Sequence, residues 1–513
     1  MRSPYFTTRW FGLAVFTSIA ISILLAVLFK SRSYDDPYIT YRYADNLRRG
    51  FGFVYNPGEY IQSTTTPLFT LLLAVLYPLW GNLPRLANLI GVLSLAVGGL
   101  LLWDIAASWK TPWAGWVGLC LYPIFPLAIT PLGSETPFYI ALCLGAFAAY
   151  ARRHYKLTAV CAALATLTRP DGLLVGLILA GDFVIHLYRQ KKSRHLAVDD
   201  QPATSIPWKA VIVFLLILLP WFIFAWVYFG SPLPATLAAK QQQGAMAVSQ
   251  RFAQGFLTTL GWYKSWQYEL EAGLALLGLV FSFWRARQWL LFLAWPVFYF
   301  AAFSILGVSR YFWYYTPLVP GFLAFSGLGL QAIAGFRLNR SPGQPNSLHW
   351  KKYFPVLNHH LLNLHIQPMQ ILALVSLTAL CLAQASGLPR LRQPATRYAI
   401  YRAAGVWLAA HTAADAVVGT LEVGILGYYA RRPMVDFAGL IQPKVAAQLA
   451  AGADYENAAL WAVEHYQPHY LVLFSGDFPR LEQGYVAHRC RLGKSFAGQK
   501  YGFEKDLAVF DCR

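Results

Sequence analysis

Apolar segments long enough to cross a membrane recur along most of this chain of 513 residues. The first runs from Trp10 to Phe29, and others cover residues 86–108, 209–229, 288–306 and 315–335. A helix of about 20 apolar residues spans a bilayer, where its backbone polar groups satisfy one another. With 57% hydrophobic and only 13% charged residues, the chain is a mainly α-helical membrane protein with several spans, and ordinary soluble folds are excluded.

The net charge of +19 would by itself suggest a nucleic-acid-binding protein. The basic residues, however, form short clusters between the apolar segments, as they do in the cytoplasmic loops of membrane proteins. We therefore expect no nucleic-acid binding. The apolar run that follows Arg2 and Arg9 is long and lacks a small-residue cleavage site, which predicts an uncleaved anchor with a cytoplasmic N-terminus.

The basic clusters also predict about eleven spans in a plasma membrane. The run PLFTLLLAVLYPLW, residues 67–80, has only 14 residues. If it lies in the outer interface without spanning, the basic residues of 152–156 and of 337–352 fall on the cytoplasmic side. Residues 157–188 are too long for one helix and are interrupted by RPDG at Arg169, which predicts a hairpin broken near the outer surface.

After Pro389 the sequence becomes mixed in charge and globular in character. VVGTLEVG and YLVLF are typical of strands, and ENAALWAVEHY between them is typical of a helix. We expect a transmembrane domain over 1–386 and a small extracytoplasmic α/β domain over 387–513. Cys490 and Cys512 lie in this second domain and would pair as a disulfide outside the cell.

Two adjacent carboxylates, Asp35 and Asp36, follow the first apolar segment in the stretch SYDDPYITYRYADNLRRG. Pro37 suits the first position of a helix, and Gly50 suits the position just past its end. Asp36 would then be the N-cap, with its carboxylate bonded to backbone amides. Asp35 is left without a structural task, so it is the better candidate for a catalytic base and Asp36 is the second.

The helix after these aspartates is expected to lie along the membrane face, with Tyr38, Tyr41 and Tyr43 as interfacial aromatic residues. Tyr38 is also a candidate for contacting the substrate. Glu135 precedes the helix TPFYIALCLG and is either a substrate contact or an acid favoured by the helix dipole. Glu59, in the turn NPGEY, is either a substrate contact or solvated.

Three cations accompany these acids. Arg169 either pairs with Asp171 to hold the hairpin or binds phosphate oxygens, for which a guanidinium is well suited. Arg310, in SRYFWYYTP, either extends to the interface or binds phosphate, and Lys240, in LAAKQQQG, is either solvated or binds phosphate. Asp35, Asp36 and Glu135 would suit a hard divalent cation, so a metal cofactor is left open.

Acids and cations around one outer-face cavity predict group transfer from an anionic lipid. A sugar on a polyprenyl phosphate carries its own leaving group, so the enzyme needs one base for the acceptor hydroxyl and cations where phosphate charge develops. No glycine-rich loop follows a predicted strand, so we expect no nucleotide cofactor. The alternative is a transporter or flippase of a lipid-linked sugar, but such proteins usually contain internal repeats and midplane polar groups.

Four stretches resemble the type C glycosyltransferases (GT-C), integral membrane enzymes that use polyprenyl-phosphate sugars: DDPYITYRYADNLRRGFGFVYNPGE, GSETPFYIAL, LTRPDGLL and GSPLPATLAAK. The sequence looks closest to the terminal arabinofuranosyltransferases and is more distantly similar to protein O-mannosyltransferases and lipid A aminoarabinose transferases. The resemblance covers residues 10–330. It implies a core of seven or more helices and interfacial helices in the first outer loop.

The resemblance also implies site residues: a catalytic base at Asp35, a second acid at Glu135, and donor-phosphate contacts at Arg169, Lys240 and Arg310. We therefore predict an inverting hexosyl- or pentosyltransferase at the outer face of a prokaryotic plasma membrane. Its donor would be a polyprenyl-phosphate sugar, and its acceptor a hydroxyl group of an extracytoplasmic glycan, lipid or protein.

Overall fold

The computed structural model describes residues 8–30, 32, 34–194, 206–336, 368–392 and 397–513. Helices dominate the first part of the chain, and a five-stranded sheet lies in the last part. Arg2 and the basic segment 337–352, both predicted to be cytoplasmic, lie outside the described residues.

The helices that precede the sheet-containing part are α1 (Thr8–Phe29), α2 (Pro37–Arg48), α3 (Pro67–Trp80), α4 (Leu83–Ser108), α5 (Pro112–Leu121), α6 (Pro126–Ile129), α7 (Thr136–Ala151), α8 (Tyr155–Thr168), α9 (Leu173–Arg194), α10 (Trp208–Phe229), α11 (Thr236–Ala245), α12 (Phe252–Leu260), α13 (Trp266–Arg285), α14 (Gln288–Leu306), α15 (Val319–Ala334) and α16 (Pro368–Gly387). A 3-10 turn, Pro170–Gly172, joins α8 to α9, and another, Phe312–Tyr314, comes before α15.

Seven segments of the described chain are long and apolar enough to cross a membrane: Arg9–Phe29, Leu83–Ser108, Pro170–Lys192, Trp208–Phe229, Gln288–Leu306, Phe312–Ala334 and Pro368–Arg392. Shorter apolar helices, among them α3, lie between them. These helices confirm the predicted class, a polytopic helical membrane protein. The count of about eleven spans stays a prediction.

Helices α13 and α15 pack against each other through glycines. A methyl group on Gly278 would overlap the backbone oxygen of Phe325, and one on Gly329 would overlap that of Leu274. Lipid tails are as apolar as leucine side chains, so helices in a membrane associate through such close backbone approach. This pair of glycines therefore sets the distance between the two helices.

We expect Gly278→Ala to lower the unfolding temperature of the detergent-purified protein, because the added methyl group overpacks the contact by about 1–3 kcal/mol. Gly273→Ala is the matched control on the same helix, since a side chain there meets no atom within 4 Å. The control should leave the temperature unchanged or raise it slightly, because alanine favours helix. Equal losses in both variants would contradict the close contact.

The last part of the chain contains strands β1 (Val418–Thr420), β2 (Met434–Asp436), β3 (Tyr470–Phe474), β4 (Arg491–Phe496) and β5 (Leu507–Asp511). The strands lie in the order β2-β1-β3-β5-β4. Strand β1 is parallel to β2 and β3, whereas β5 is antiparallel to β3 and β4.

The helices of this part are α17 (Tyr398–His411), α18 (Gly424–Ala430), α19 (Pro443–Ala446), α20 (Glu456–Tyr466), α21 (Pro479–Leu481) and α22 (Ala487–Arg489). YLVLF is strand β3 and ENAALWAVEHY is helix α20, as the sequence predicts. In VVGTLEVG only the first half is a strand, β1, and the chain then turns into α18. A disulfide joins Cys490 to Cys512 beside β4 and β5.

Helix α2 begins at Pro37, as predicted, but its surroundings differ from the prediction. Tyr38, Tyr41 and Tyr43 are buried and do not form an interfacial belt, because α3 covers one side of α2 and α18 covers another. The ring of Tyr38 packs against Tyr41 and against three tyrosines of the last part of the chain. The helix thus joins the membrane helices to the sheet-containing part.

Candidate active site

A cavity of about 450 Å³, which we call the first cavity, opens beside the two aspartates. Its charged lining consists of Asp36, Glu135, Arg169, Asp171 and Lys240. One flank of its wall is aliphatic and comes from α9, α11 and α14, whereas hydroxyl and aromatic side chains contribute to the rest. The aliphatic flank is formed by Leu173, Leu174, Leu177, Leu237, Ala302 and Leu306. One space therefore combines paired charges with an apolar surface.

Arg169 reaches the first cavity because the helix hairpin breaks there. Helix α8 ends at Thr168, Arg169 is extended, and Pro170, which lacks an amide hydrogen, starts the 3-10 turn. Arg169 is only 4% exposed. Its Nε donates to Oδ1 of Asp171 over 3.0 Å, and its Nη1 lies 3.6 Å from Oε1 of Glu135. Arg169 thus forms the pair with Asp171 and also lines the first cavity, while its alternative role in phosphate binding stays a prediction.

Lys240, on α11, lies across the cavity from Arg169 and next to Asp36. Its Nζ is 3.7 Å from Oδ2 of Asp36, and the side chain is 15% exposed, so it is not a freely solvated lysine. Three aromatic rings surround the ammonium group at centroid distances of 4.9 to 5.7 Å: Tyr311, Trp313 and Tyr314. These rings favour a cation and fix its position.

The two aspartates point in different directions, and their structural roles are the reverse of those predicted. Asp36 occupies the N-cap position of α2 but makes no side-chain capping bond there. Asp35 is the carboxylate that binds backbone amides: its Oδ2 accepts from Gly424 over 2.9 Å, and its Oδ1 accepts from Ile425 over 2.7 Å. Asp35 therefore holds the start of α18, and Asp36 is left facing the cavity.

Burial disfavours the charged form of each acid in this region. It raises the pKa of Asp36, against the effect of Lys240, and it raises the pKa of Glu135, against the effect of Arg169. The pKa of Asp35 lies well above its usual range because of burial and then of nearby Glu422, although the two amides oppose the shift.

Besides Asp35, three other sequence candidates do not line the first cavity. Arg310 donates to Oε1 of Gln250 over 3.0 Å and lines a separate cavity beyond Asp36. Glu59 is exposed and accepts from Asn56 over 3.1 Å, as expected for a solvated turn residue. Tyr38 is 1% exposed beneath α18. These three residues are therefore separate from the charged lining of the first cavity, and their binding roles stay predictions.

The acids suggested for a divalent cation do not converge on one point. Asp35 turns towards the amides of α18, while Asp36 faces Lys240 and Glu135 faces Arg169. Within the described ranges, no group of three or more His, Cys, Asp or Glu side chains is arranged to hold a metal ion. These residues therefore do not fit a metal centre.

Several residues of the region were not singled out from the sequence. Glu422 and Arg397 form an ion pair beside Asp35, and Tyr311, Trp313 and Tyr314 surround Lys240. The run RYFWYY was a visible signal for the aromatic group, because consecutive aromatic residues next to a lone arginine are typical of binding surfaces. No local sequence pattern indicates the ion pair between Arg397 and Glu422, which are 25 residues apart.

The structure is similar to that of ArnT from Cupriavidus metallidurans bound to undecaprenyl phosphate, with a TM-score of 0.59, 17% identity and 98% of each chain covered. It is also similar to the oligosaccharyltransferase of Archaeoglobus fulgidus tethered with an acceptor peptide. That comparison has a TM-score of 0.58 and 13% identity, and covers 94% of this chain and 71% of that chain. The chain has the GT-C fold. The fold expected from the sequence resemblance is thereby confirmed.

Residues 390–509 match a family model described as a domain of unknown function, DUF8728. This range contains the whole of the sheet except the end of β5, together with α17 and α18. No curated protein matches the chain. The GT-C fold here thus carries a C-terminal part whose role has to be read from its own contacts.

We expect Asp35→Ala to speed hydrogen exchange at the amides of Gly424 and Ile425, because both lose their acceptor. Asp35→Asn keeps one acceptor oxygen and should give an intermediate rate. The control is Asp477→Ala, which removes an acid paired with Lys505 over 2.5 Å elsewhere in the same part of the chain. Unchanged exchange at the two amides in Asp35→Ala would show that the Asp35 carboxylate does not hold α18.

Proposed function

We propose that this protein is an inverting glycosyltransferase that moves a pentose or hexose from a polyprenyl phosphate to an acceptor hydroxyl at the outer face of a plasma membrane. The observation that carries the proposal is the composition of the first cavity. A partly exposed carboxylate, Asp36, shares a cavity with two largely buried cations, Arg169 and Lys240, and one flank of this cavity is aliphatic. A proton acceptor, phosphate-binding groups and a lipid-compatible surface are what such a reaction requires.

Arg169 and Lys240 are the proposed phosphate ligands. Guanidinium and ammonium groups both bind phosphate oxygens, the first through a planar fork and the second as a point charge. The phosphodiester of the donor carries one negative charge and gains another as the sugar leaves, so fixed cations stabilise the transition state more than the ground state. The relative ArnT, of the same fold, was solved with undecaprenyl phosphate bound.

The prenyl chain of the donor would lie along the aliphatic wall. Three leucines that line the cavity belong to segments long and apolar enough to span a membrane, and their side chains are not fully covered by protein: Leu173, Leu177 and Leu306 are 41%, 61% and 38% exposed. In a bilayer such side chains face lipid, so the cavity is open to a lipid approaching from the side. The phosphate would then meet the cations at the inner end of this wall.

Asp36 is the proposed general base. The sequence alone favours Asp35, but both oxygens of Asp35 accept amide hydrogens of α18. Asp36 removes the proton of the acceptor hydroxyl while the oxygen attacks the anomeric carbon. The bond from that carbon to the phosphate oxygen breaks, and polyprenyl phosphate leaves as a dianion without a general acid, because the second pKa of a phosphate monoester is only about 6. A single displacement inverts the anomeric centre.

The first test uses the purified full-length protein in lipid nanodiscs with a panel of polyprenyl-phosphate sugars and a cell-envelope extract as the acceptor source. We expect wild type to release free polyprenyl phosphate, and Asp36→Asn to release it about 100- to 10,000-fold more slowly, because a general base contributes that much. Asp35→Asn should lose less, since it acts through α18. No release by wild type, together with movement of the intact lipid-linked sugar across the bilayer of proteoliposomes, would support the transporter alternative.

The pH dependence tests the pairing of Asp36 with Lys240. The base works only when it is deprotonated, so the rate should fall as the pH falls through the raised pKa of Asp36. Lys240 lowers that pKa, and Lys240→Met should therefore move the acid limb of kcat/KM to higher pH. Lys240→Arg, which keeps the charge, should leave the limb close to its wild-type position. A limb that does not move in Lys240→Met would exclude Asp36 as the titrating group.

A further inference from the structure

We infer that a second cavity in this protein binds the acceptor, and that the acceptor's reacting end is a neutral saccharide; the inference rests on the proposed function. The second cavity has a volume of about 380 Å³, and Tyr34, Asp36 and Trp313 line both cavities. An attacking hydroxyl has to approach the anomeric carbon from the side opposite to the departing phosphate. A separate space that also reaches Asp36 satisfies this requirement.

The second cavity is rich in aromatic rings: Tyr34, Trp262, Tyr311, Phe312 and Trp313. Tyr34 stacks on Trp313 with ring centroids 5.3 Å apart, and Trp262 is 63% exposed. The face of an aromatic ring carries partial negative charge and attracts the C–H groups on the apolar face of a sugar. A largely uncovered tryptophan at the rim is therefore a stacking platform for a saccharide ring.

Hydrogen-bonding groups of both signs lie beside these rings. Arg397 and Glu422 are paired with each other, with side chains 41% and 28% exposed, and Arg310 lies over the ring of Trp262 at 5.6 Å. Neighbouring sugar hydroxyls both donate and accept, so a carboxylate next to a guanidinium complements them. This alternation of donors and acceptors is matched to a polyol.

The charge balance and the shortage of aliphatic side chains narrow the ligand class. The lining contains three carboxylates, of Asp35, Asp36 and Glu422, and two guanidinium groups, of Arg310 and Arg397, so no excess positive charge awaits an anionic ligand. Among the described residues that line it, Ile425 is the only aliphatic one, in contrast to the leucine-rich flank of the first cavity. The cavity therefore offers no aliphatic surface along which an acyl chain could pack, and this favours a neutral saccharide over a lipid as the ligand.

Part of this wall comes from the region that matches the domain of unknown function. Arg397, Glu422 and Ile425 belong to residues 390–509, and the remaining lining belongs to loops, to α12 and to the 3-10 turn before α15. The C-terminal part therefore completes the second cavity. Recognition of the acceptor is the role that its contacts assign to it.

The test measures binding of short neutral arabinan, mannan, galactan and glucan fragments to the full-length protein in nanodiscs, without any donor. We expect at least one fragment class to bind, and Trp262→Ala to raise its Kd about tenfold, because the stacking contact is lost. Trp266→Ala is the matched control, since this tryptophan is 55% exposed and lines neither cavity. It should leave the Kd unchanged.

Serine- and threonine-containing peptides and acylated lipids form the competing arms of the same assay. The inference is overturned if no saccharide binds, if both tryptophan variants lose binding equally, or if only a peptide or a lipid depends on Trp262. Saccharide binding that depends on Trp262, in a protein that turns over no polyprenyl-phosphate donor, would keep the saccharide site and refute the proposed transferase.

Discussion

Two charged residues of the first loop hold the short helix α18 at its two ends. Asp35 accepts the amide hydrogens of Gly424 and Ile425 at its start, and Arg42 donates to the backbone oxygens of Gly427 and Arg432 near and beyond its end. A carboxylate at the N-terminus and a cation at the C-terminus of a helix both complement its dipole. The loop that carries Asp36 and the sheet-containing part are thereby fixed against each other, and both cavities depend on that junction.

The first cavity holds its cations in place before any ligand arrives. Asp36, Glu135 and Asp171 outnumber Arg169 and Lys240, so each cation already has a carboxylate partner. In the proposed reaction, the phosphate of the sugar substrate would compete with these carboxylates for N–H groups that need little reorganisation. The guanidinium of Arg169 has five N–H groups and can keep its bond to Asp171 while it donates to a phosphate oxygen. Pairing within the protein thus serves orientation more than stability.

Local patterns predicted the local features of this fold, and long-range contacts changed their meaning. Pro37 marked the start of α2 and RPDG marked the break at Arg169, because proline acts within one turn of its own position. Most residues of the charged lining of the first cavity were predicted from such short motifs. The roles of Asp35 and Asp36 could not be read locally, since the partner of Asp35 lies 389 residues away. Tyr38 was misplaced for the same reason: an amphipathic pattern reveals burial but not what covers the helix.

The contacts of Asp35 and Arg42 with α18 affect the order in which the protein acquires its structure during synthesis. Asp35 and Arg42 emerge from the ribosome early, and their partners follow 389 and 385 residues later. At about 5–20 residues per second, that interval lasts roughly 20–80 s. During this time a carboxylate and a guanidinium destined for burial stay exposed, and the loop with Asp36 has no fixed position. Catalytic competence is therefore acquired only with the last quarter of the chain, so prematurely terminated chains inserted in the membrane would be inactive.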